Sequence, residues 1–585
     1  MATLTKKDSA SASSQSSESA SPHPVYEAQA GVKAVEAAEK VYGRYSNLAL
    51  ASYIYSLDGV TTYTYLAYAT SAFEEHSLLS SITVAQSIII ACGKPVMAKL
   101  ADTTSRGTSY IAVLLFYVLG YIIIASAKTL GAIAAGIIFY AVGYTGLQLL
   151  TQIIIADITT LKWRGLVSAL TSTPFIVNAF IGSNISASIV KHSGWRWGYG
   201  MFAILIPVSL APLIITLFWA ERKAKKLGLT SAITEFTGQT LTQRIWHFTE
   251  QLDVIGLLFL GAAVALILLP LTLSQTAKGG WHNPSMIAMI VVGCVLLFVY
   301  IGWETWFAKR PVMPTRFLKN RAFIGASWIG FFDFVSFYLT NTYLYSFIIV
   351  VKPWSLVDAT YFTETQTVAL TFFGICGGLI MRLTGRYKWM LVVGLCIRLL
   401  GVGLMIHSRG AQASDAEVVW TQILQGWGGG FASVATQVGA QASVPHADVA
   451  IITAVVLLWT EIGGSIGQAI AGAIWTHTMP QKLAAHLPDL PAANRTALFD
   501  SITSVTAYPR GSAVREGVIA AYDDTMKILV VAATVVSVVP VLFALFMPDY
   551  HLGDAQNAVD GATLTGEPVD SAPVADSEAQ TAERR

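Results

Sequence analysis

The chain has 585 residues, 54% of them hydrophobic and only 12% charged, with a formal net charge of +2. Soluble domains carry about 25% charged residues, so this composition excludes an ordinary soluble globular protein. The near-balanced charge gives no electrostatic footprint for a nucleic-acid partner.

The first stretch, "MATLTKKDSASASSQSSESASPHP", is Ser-rich and polar with no apolar core. It is expected to be disordered and is not read as a cleaved signal peptide. Residues 1–45 are therefore expected to form a cytoplasmic tail. Runs such as "VIGLLFLGAAVALILLPLTL" and "ILVVAATVVSVVPVLFALFM" follow. About 20 apolar residues cross the hydrocarbon of a bilayer, so these runs predict transmembrane helices. About fourteen spans are expected, over 48–70, 80–100, 108–127, 130–156, 166–190, 198–219, 253–273, 285–307, 322–350, 361–381, 388–407, 416–443, 448–477 and 526–547. The fold class expected is an all-α polytopic membrane protein in the lipid bilayer.

An even number of spans places both tails on one side. Putting that side in the cytoplasm gives short cytoplasmic loops rich in Lys and Arg, among them Lys99, Arg106, Arg164, Arg222, Lys309, Arg321 and Arg386. The short outer loops then hold only Lys128, Lys191, Arg196, Lys278, Lys352 and Arg409. The positive-inside rule favours this orientation. The outer loop 478–525 is too long for a simple connector. It contains the sequon "NRT", which makes Asn494 a glycosylation candidate. The sequon at Asn184 lies within a span.

The four cysteines sit in apolar segments without CxxC spacing, and the histidines show no HxxH or HxxxH pair. No disulfide framework, metal site or cofactor is expected.

An internal repeat organises the chain. "ASYIYSLDGVTTY" at 51–63 is echoed by "ASWIGFFDFVSFY" at 326–338, an ungapped offset of 275 that pairs Asp58 with Asp333. "AKLADTTSRG" from Ala98 is echoed by "GLIMRLTGRY" from Gly378, at an offset of 280. Parallel six-helix repeats are a transporter architecture. The expected organisation is a half at 46–220, a cytoplasmic linker at 221–252, two inserted helices with a basic loop at 253–320, a second half at 321–547, and a disordered acidic cytoplasmic tail at 548–585.

The two loops resemble the loop motif of the major facilitator superfamily, roughly G-x-L-x-D-R-x-G-R-R. Leu100, Asp102 and Arg106 fit the first copy, and Gly378, Gly385, Arg386 and Lys388 the second, with Arg382 where the acid would stand. The resemblance implies a latch role for these loops. More narrowly, "YSLDGVTTYTYLAYATSAF", "LQLLTQIIIADITTLKWRGL", "GWRWGYGMFAI" and "VVGLCIRLLGVGLM" resemble the fungal siderophore–iron transporters, a fourteen-span branch. The resemblance covers about 45–547. It implies proton-coupled uptake of ferric siderophores, with ferric siderophore (hydroxamate type) and protons as partners and a monomer as the working unit. It also implies a role in uptake for the long outer loop, with Tyr508, Arg510 and Tyr522 as lid candidates. The plasma membrane is the expected location. The fourth span lacks the Arg of the drug–proton antiporters of the neighbouring branch. An exporter of drugs or glutathione and a non-transporting siderophore sensor are the alternatives. No nucleophile–base cluster points to an enzyme.

Ionisable groups deep in spans are functional suspects. Asp58, Asp333 and Glu461 are the proton-coupling candidates, and which of them carries the proton is open at this point. Tyr55, Thr61, Thr62 and Tyr65 share a helical face with Asp58. That face is read either as a wall of a central cavity or as a carboxyl locked to a neighbouring helix. Tyr55, Thr62, Tyr65, Tyr68, Gln148, Gln152, Tyr338, Asn341, Tyr343, Gln422 and Gln425 are the substrate-binding candidates, because tyrosine offers an apolar body with a hydrogen-bonding tip. Arg398, with Asp102, Arg106 and Arg386, is assigned to structural ion pairs or gating. "GWGGG" at 426–430 is read as a helix-packing element.

Overall fold

The computed structural model describes residues 44–71, 79–226, 249–250, 253–273, 279–309, 311–313, 315–410, 413–500 and 502–559. The expected tail 1–45, except its last two residues, and most of the linker 221–252 lie outside them. Among the described residues all regular structure is helical. Six traversing elements come first: α1 (Arg44–Ser71), α2 (Leu79–Thr103), α3 (Arg106–Ala125), α4 (Leu130–Ile158), the broken pair α5 (Leu161–Leu170) and α6 (Pro174–His192), and α7 (Trp195–Lys226). Then come α8 (Val254–Leu273) and α9 (Pro284–Gly302). The second half comprises α10 (Arg321–Asn341), α11 (Leu344–Val351), α12 (Leu356–Thr384), α13 (Lys388–Ser408), α14 (Asp415–Ala442), α15 (Val449–His486), α16 (Ala492–Asp500), α17 (Ile502–Thr506) and α18 (Ala513–Phe546).

Ten of the helical segments are long and apolar enough to cross a membrane. Their outer surfaces carry bare apolar side chains such as Phe298, Leu383 and Phe546, which are 74–78% exposed. Such surfaces suit lipid rather than water. α1 and α14 fall short on hydropathy because they carry groups such as Asp58, Gln422 and Gln425.

Two spans differ from the continuous helices expected. The fifth breaks at Thr171–Thr173, and Pro174 opens α6. Proline has no N–H to continue the α5 ladder, but suits the first turn of a new helix. The ninth breaks after Asn341. There the Thr342 hydroxyl bonds the Tyr338 carbonyl at 2.6 Å, and Tyr343 stacks on Trp475 with ring centroids 4.1 Å apart.

The packing repeats the sequence repeat. α1 lies on α6 and α7, α2 on α4, and α3 on α4 and α7. Correspondingly, α10 lies on α15 and α18, α12 on α14, and α13 on α14 and α18. The halves meet along two matching seams, α2 with α15 and α12 with α5 and α6. α8 and α9 pair with each other, and α8 docks beside the α2–α15 seam through a cluster of Leu260 and Tyr300 with Ala91, Leu458 and Ile462. The "GWGGG" stretch packs as expected: a side chain on Gly428 would strike Gly394 and Arg398 of α13, and one on Gly430 would strike Leu370 and Gly374 of α12.

Loop 478–525 is mostly helical rather than irregular. α15 continues to His486, α16 and α17 follow, and α18 begins at Ala513. Arg515 anchors this layer. Its guanidinium donates to the carbonyls of Ile349, Val350 and Val505 at 2.6–3.2 Å. Arg510 adds a bond to the Val351 carbonyl. These arginines satisfy the open C-terminal carbonyls of α11, which a helix end cannot bond internally.

Residues 548–559 correct the expectation of a tail disordered from 548. They form a strap across one face of the bundle. On the second half, the Leu552 amide donates to Gly385 O at 2.8 Å, Tyr387 donates to Pro548 O at 2.5 Å, and Arg386 pairs with Asp549 at 2.6 Å. On the first half, the amides of Leu161 and Lys162 donate to Ala555 O and Gly553 O at 3.0 and 3.1 Å. Arg164, 1% exposed, donates to Gln556 O at 2.7 Å.

Candidate functional site

Three polar side chains meet where α2, α4 and α15 converge. Lys94 of α2 has no exposed surface. Its ammonium donates to Glu461 Oε1 of α15 at 2.8 Å and to Gln148 Oε1 of α4 at 3.0 Å. The Glu461 side chain is 20% exposed, so this cluster has an opening. The hydroxyls of Tyr55 and Tyr144 lie within electrostatic range of both Asp58 and Glu461, and that of Tyr338 within range of Glu461. Tyr55 stacks on Tyr144 with centroids 5.0 Å apart and meets Phe175 edge-on. Groups from both halves thus surround one buried ion pair. A buried charge is stable only when paired and hydrogen-bonded, and here the pairing crosses the seam.

Asp58 lies deeper in the first half, fully buried between α1, α3 and α4. It accepts hydrogen bonds from Thr62 at 2.5 Å, Tyr140 at 3.1 Å, Tyr117 and Tyr121. Among the described residues no Lys, Arg or His pairs with it. The expected polar face is therefore divided. Tyr55 packs on Tyr144 and Phe175, while Asp58 and Thr62 turn into the half itself. Tyr65 is also buried there, packed edge-on against Tyr199. The carboxyl is locked to neighbouring helices by hydroxyls.

Asp333, the repeat partner, is held differently. Arg398 of α13 pairs with its carboxylate through Nε and donates from a terminal nitrogen to the Asp333 carbonyl at 3.0 Å. Equivalent helices supply the partners in each half, tyrosines from α3 for Asp58 and an arginine from α13 for Asp333. The repeat conserves the acids' positions and changes how each is compensated.

The remaining candidates scatter. Gln152 accepts from Ser168 at 3.0 Å and from Gln437 at 2.8 Å, so it bridges the halves. Gln425 donates to Thr340 at 3.0 Å. Gln422 is buried within α14, and its amide has no hydrogen-bond partner among the described residues. Asn341 is half-buried at the α10 terminus. Tyr338 contacts Phe334 and Phe337. Tyr343 belongs to a different cluster, with Trp475 between it and Tyr522. Tyr508 is exposed, and Asn494 is exposed on α16. The side chains of Tyr68 and Asp102 lie outside the described residues. Arg106 pairs with Asp157 at 3.1 Å, and His446 approaches the same carboxylate at 3.3 Å. Among the described residues, no three or more His, Cys, Asp or Glu side chains gather as a metal site.

Sequence reasoning missed Lys94, Tyr117, Tyr121, Tyr140, Tyr144 and Asp157. Lys94 had a signal, a cation inside the apolar run "IIIACGKPVM". The tyrosines had none, because aromatic residues in spans are ordinarily packing.

A family model described as Major Facilitator Superfamily matches residues 48–407. The siderophore transporter fer7 of Mycosarcoma maydis is 38% identical over 93% of this chain and 87% of its own length. The MFS siderochrome iron transporter C of Aspergillus fumigatus is 37% identical over 90% of this chain and 87% of its own. This chain belongs to the major facilitator superfamily, in the branch of the fungal siderophore–iron transporters. The low affinity heme transporter str3 of Schizosaccharomyces pombe is also similar, 38% identical over 87% of this chain and 82% of its own. Family membership makes the ten apolar segments those of a multi-pass membrane protein and assigns the chain to a family of transporters.

Proposed function

We propose that this protein imports ferric-siderophore complexes, of the hydroxamate type, by proton symport with alternating access. The relatives supply the substrate class. The observation that carries the mechanism is the Lys94–Glu461–Gln148 cluster, a partly exposed ion pair joining the two halves. Rocking of the halves changes the α2–α15 seam, and protonation of Glu461 removes the charge that holds Lys94 across it. Coupling a proton to a conformational step requires such a group. Asp58 is the second coupling group. With hydroxyl donors and no cation, its hydrogen-bond pattern must reorganise when it gains a proton. Asp333, neutralised by Arg398, is structural. The fourteen-span layout, both tails cytoplasmic, the plasma membrane, a monomer and glycan attachment at Asn494 complete the proposal.

The test is uptake of radio-iron supplied as ferric hydroxamate siderophores, in a strain without its own carriers. Accumulation abolished by a protonophore is expected. Absence of uptake across a panel of hydroxamates would refute the reading. Efflux from preloaded cells would support the exporter instead. Because one relative is named for heme, haem belongs in the same panel as the second candidate cargo.

A further inference from the structure

We propose that Lys94 is a cargo-binding residue, selecting iron complexes that carry a free carboxylate, and that Glu461 occupies its place when no cargo is bound. The proposal rests on the transport reading above and adds a chemical class to it.

The argument begins with the ammonium. It carries three N–H donors. One goes to Glu461 and one to Gln148, and the third has no protein acceptor among the described residues. The side chain is 0% exposed, so water does not freely complete its shell. A fully buried cation with an unused donor beside an opening is prepared for one more oxygen.

The next step concerns the partner. Glu461 stands on the opposite half, so separation of α2 from α15 would leave Lys94 buried without an anion. Breaking a buried pair in this way costs several kcal/mol. The first half offers no replacement among the described residues. Its own buried acid, Asp58, has both carboxylate oxygens engaged by hydroxyl donors. An anion from outside the protein solves the problem. In the transport reading, the cargo is the molecule that supplies such an anion in each cycle. A cargo carboxylate displaces Glu461 and pairs with Lys94 by a charge-assisted hydrogen bond. It thereby links loading to release of the seam. Tyr55, Tyr144 and Tyr338 then face the apolar body of the chelate.

The test uses the purified full chain in detergent and two probes, a neutral ferric trihydroxamate and the same chelate bearing one added carboxylate. Binding is followed by tryptophan quenching in wild type, Glu461→Gln, Lys94→Gln/Glu461→Gln and Lys94→Arg. The readout is the affinity ratio, carboxylate-bearing over neutral. A charged hydrogen bond is worth about 1.5–3 kcal/mol, so Glu461→Gln should favour the carboxylate chelate by about tenfold or more. In the double variant the ratio should fall to about one, and Lys94→Arg should keep a preference above one. Size-exclusion profiles confirm folding. An unchanged ratio in the double variant overturns the assignment, even where cells still accumulate iron. The expected ratios with no cellular uptake by the wild type would instead sink the transport reading and leave Lys94 assigned. Failure of every form to bind either chelate overturns both.

Discussion

Replacing Arg398 by Met should destabilise the second half far more than its single position suggests. Arg398 is 4% exposed and Asp333 15%, and the guanidinium holds both the carboxylate and the Asp333 backbone carbonyl. Removing one partner of a buried pair costs about 3–5 kcal/mol, because the other charge stays behind. The partial exposure of Asp333 places the loss near the lower end, about 3 kcal/mol. The lost carbonyl bond adds about 1 kcal/mol. Neutralising both residues, as Asp333→Asn/Arg398→Met, removes the stranded charge, and such neutral replacements are often close to wild type. The double variant should therefore recover about 2 kcal/mol or more relative to Arg398→Met. A double-mutant cycle on the detergent-solubilised protein, read by denaturant unfolding, measures this directly. The reasoning fails if the double variant is no more stable than Arg398→Met, or if Arg398→Met alone melts like wild type.

Asp58→Asn should insert and fold, since no cation is stranded and the tyrosine hydroxyls can rotate to donate or accept. It should impair proton-driven uptake, and normal transport at all pH values would remove Asp58 from the coupling scheme. Arg515→Met should loosen the α11 end by leaving buried carbonyls unpaired, at about 1–3 kcal/mol. Faster proteolysis between 487 and 512 with the rest of the bundle intact is the expected signature, and unchanged cleavage would contradict it. On the same face, hydrogen bonds from Lys352 and Trp354 hold the Asp415 carboxyl below its ordinary value. A depressed pKa stabilises the fold above the unfolded value of about 3.9 and is lost as pH falls through the lower folded value. Solvent screening at the exposed Asp415 carboxylate limits it to about 0.5 kcal/mol. Asp415→Asn should thus show a small constant deficit from pH 5 to 8 that shrinks as pH falls below the unfolded value of about 3.9, and a deficit that does not shrink with acidification would refute the assignment.

The parts of the fold visible in the sequence are those encoded locally. Apolar runs located the helices, and the echo of "ASYIYSLDGVTTY" placed two acids at equivalent points in matching halves. Arg398 was recognisable as an ion-pair residue because an arginine inside a span needs an anion. What escaped depends on contacts between distant positions. Lys94 and Glu461 are 367 residues apart, and nothing local to either names the other. The orientation of Asp58 is set by tyrosines on α3 and α4 whose hydroxyls look like ordinary aromatic content. The helical layer at 478–525 was hidden because its cap comes from arginines bonding backbone carbonyls, which leave no side-chain pattern.

The strap has a consequence for how the protein is made. Arg164 emerges early in synthesis, yet the Gln556 carbonyl that accepts one of its buried hydrogen bonds is almost 400 residues later in the chain. The same holds for the Leu161 and Lys162 amides, whose acceptors are Ala555 and Gly553. One face of the first half therefore stays unfinished throughout translation of the second. It closes only when the last dozen described residues arrive, so a ribosome that stops after α18 releases a bundle with every helix present and its seal missing.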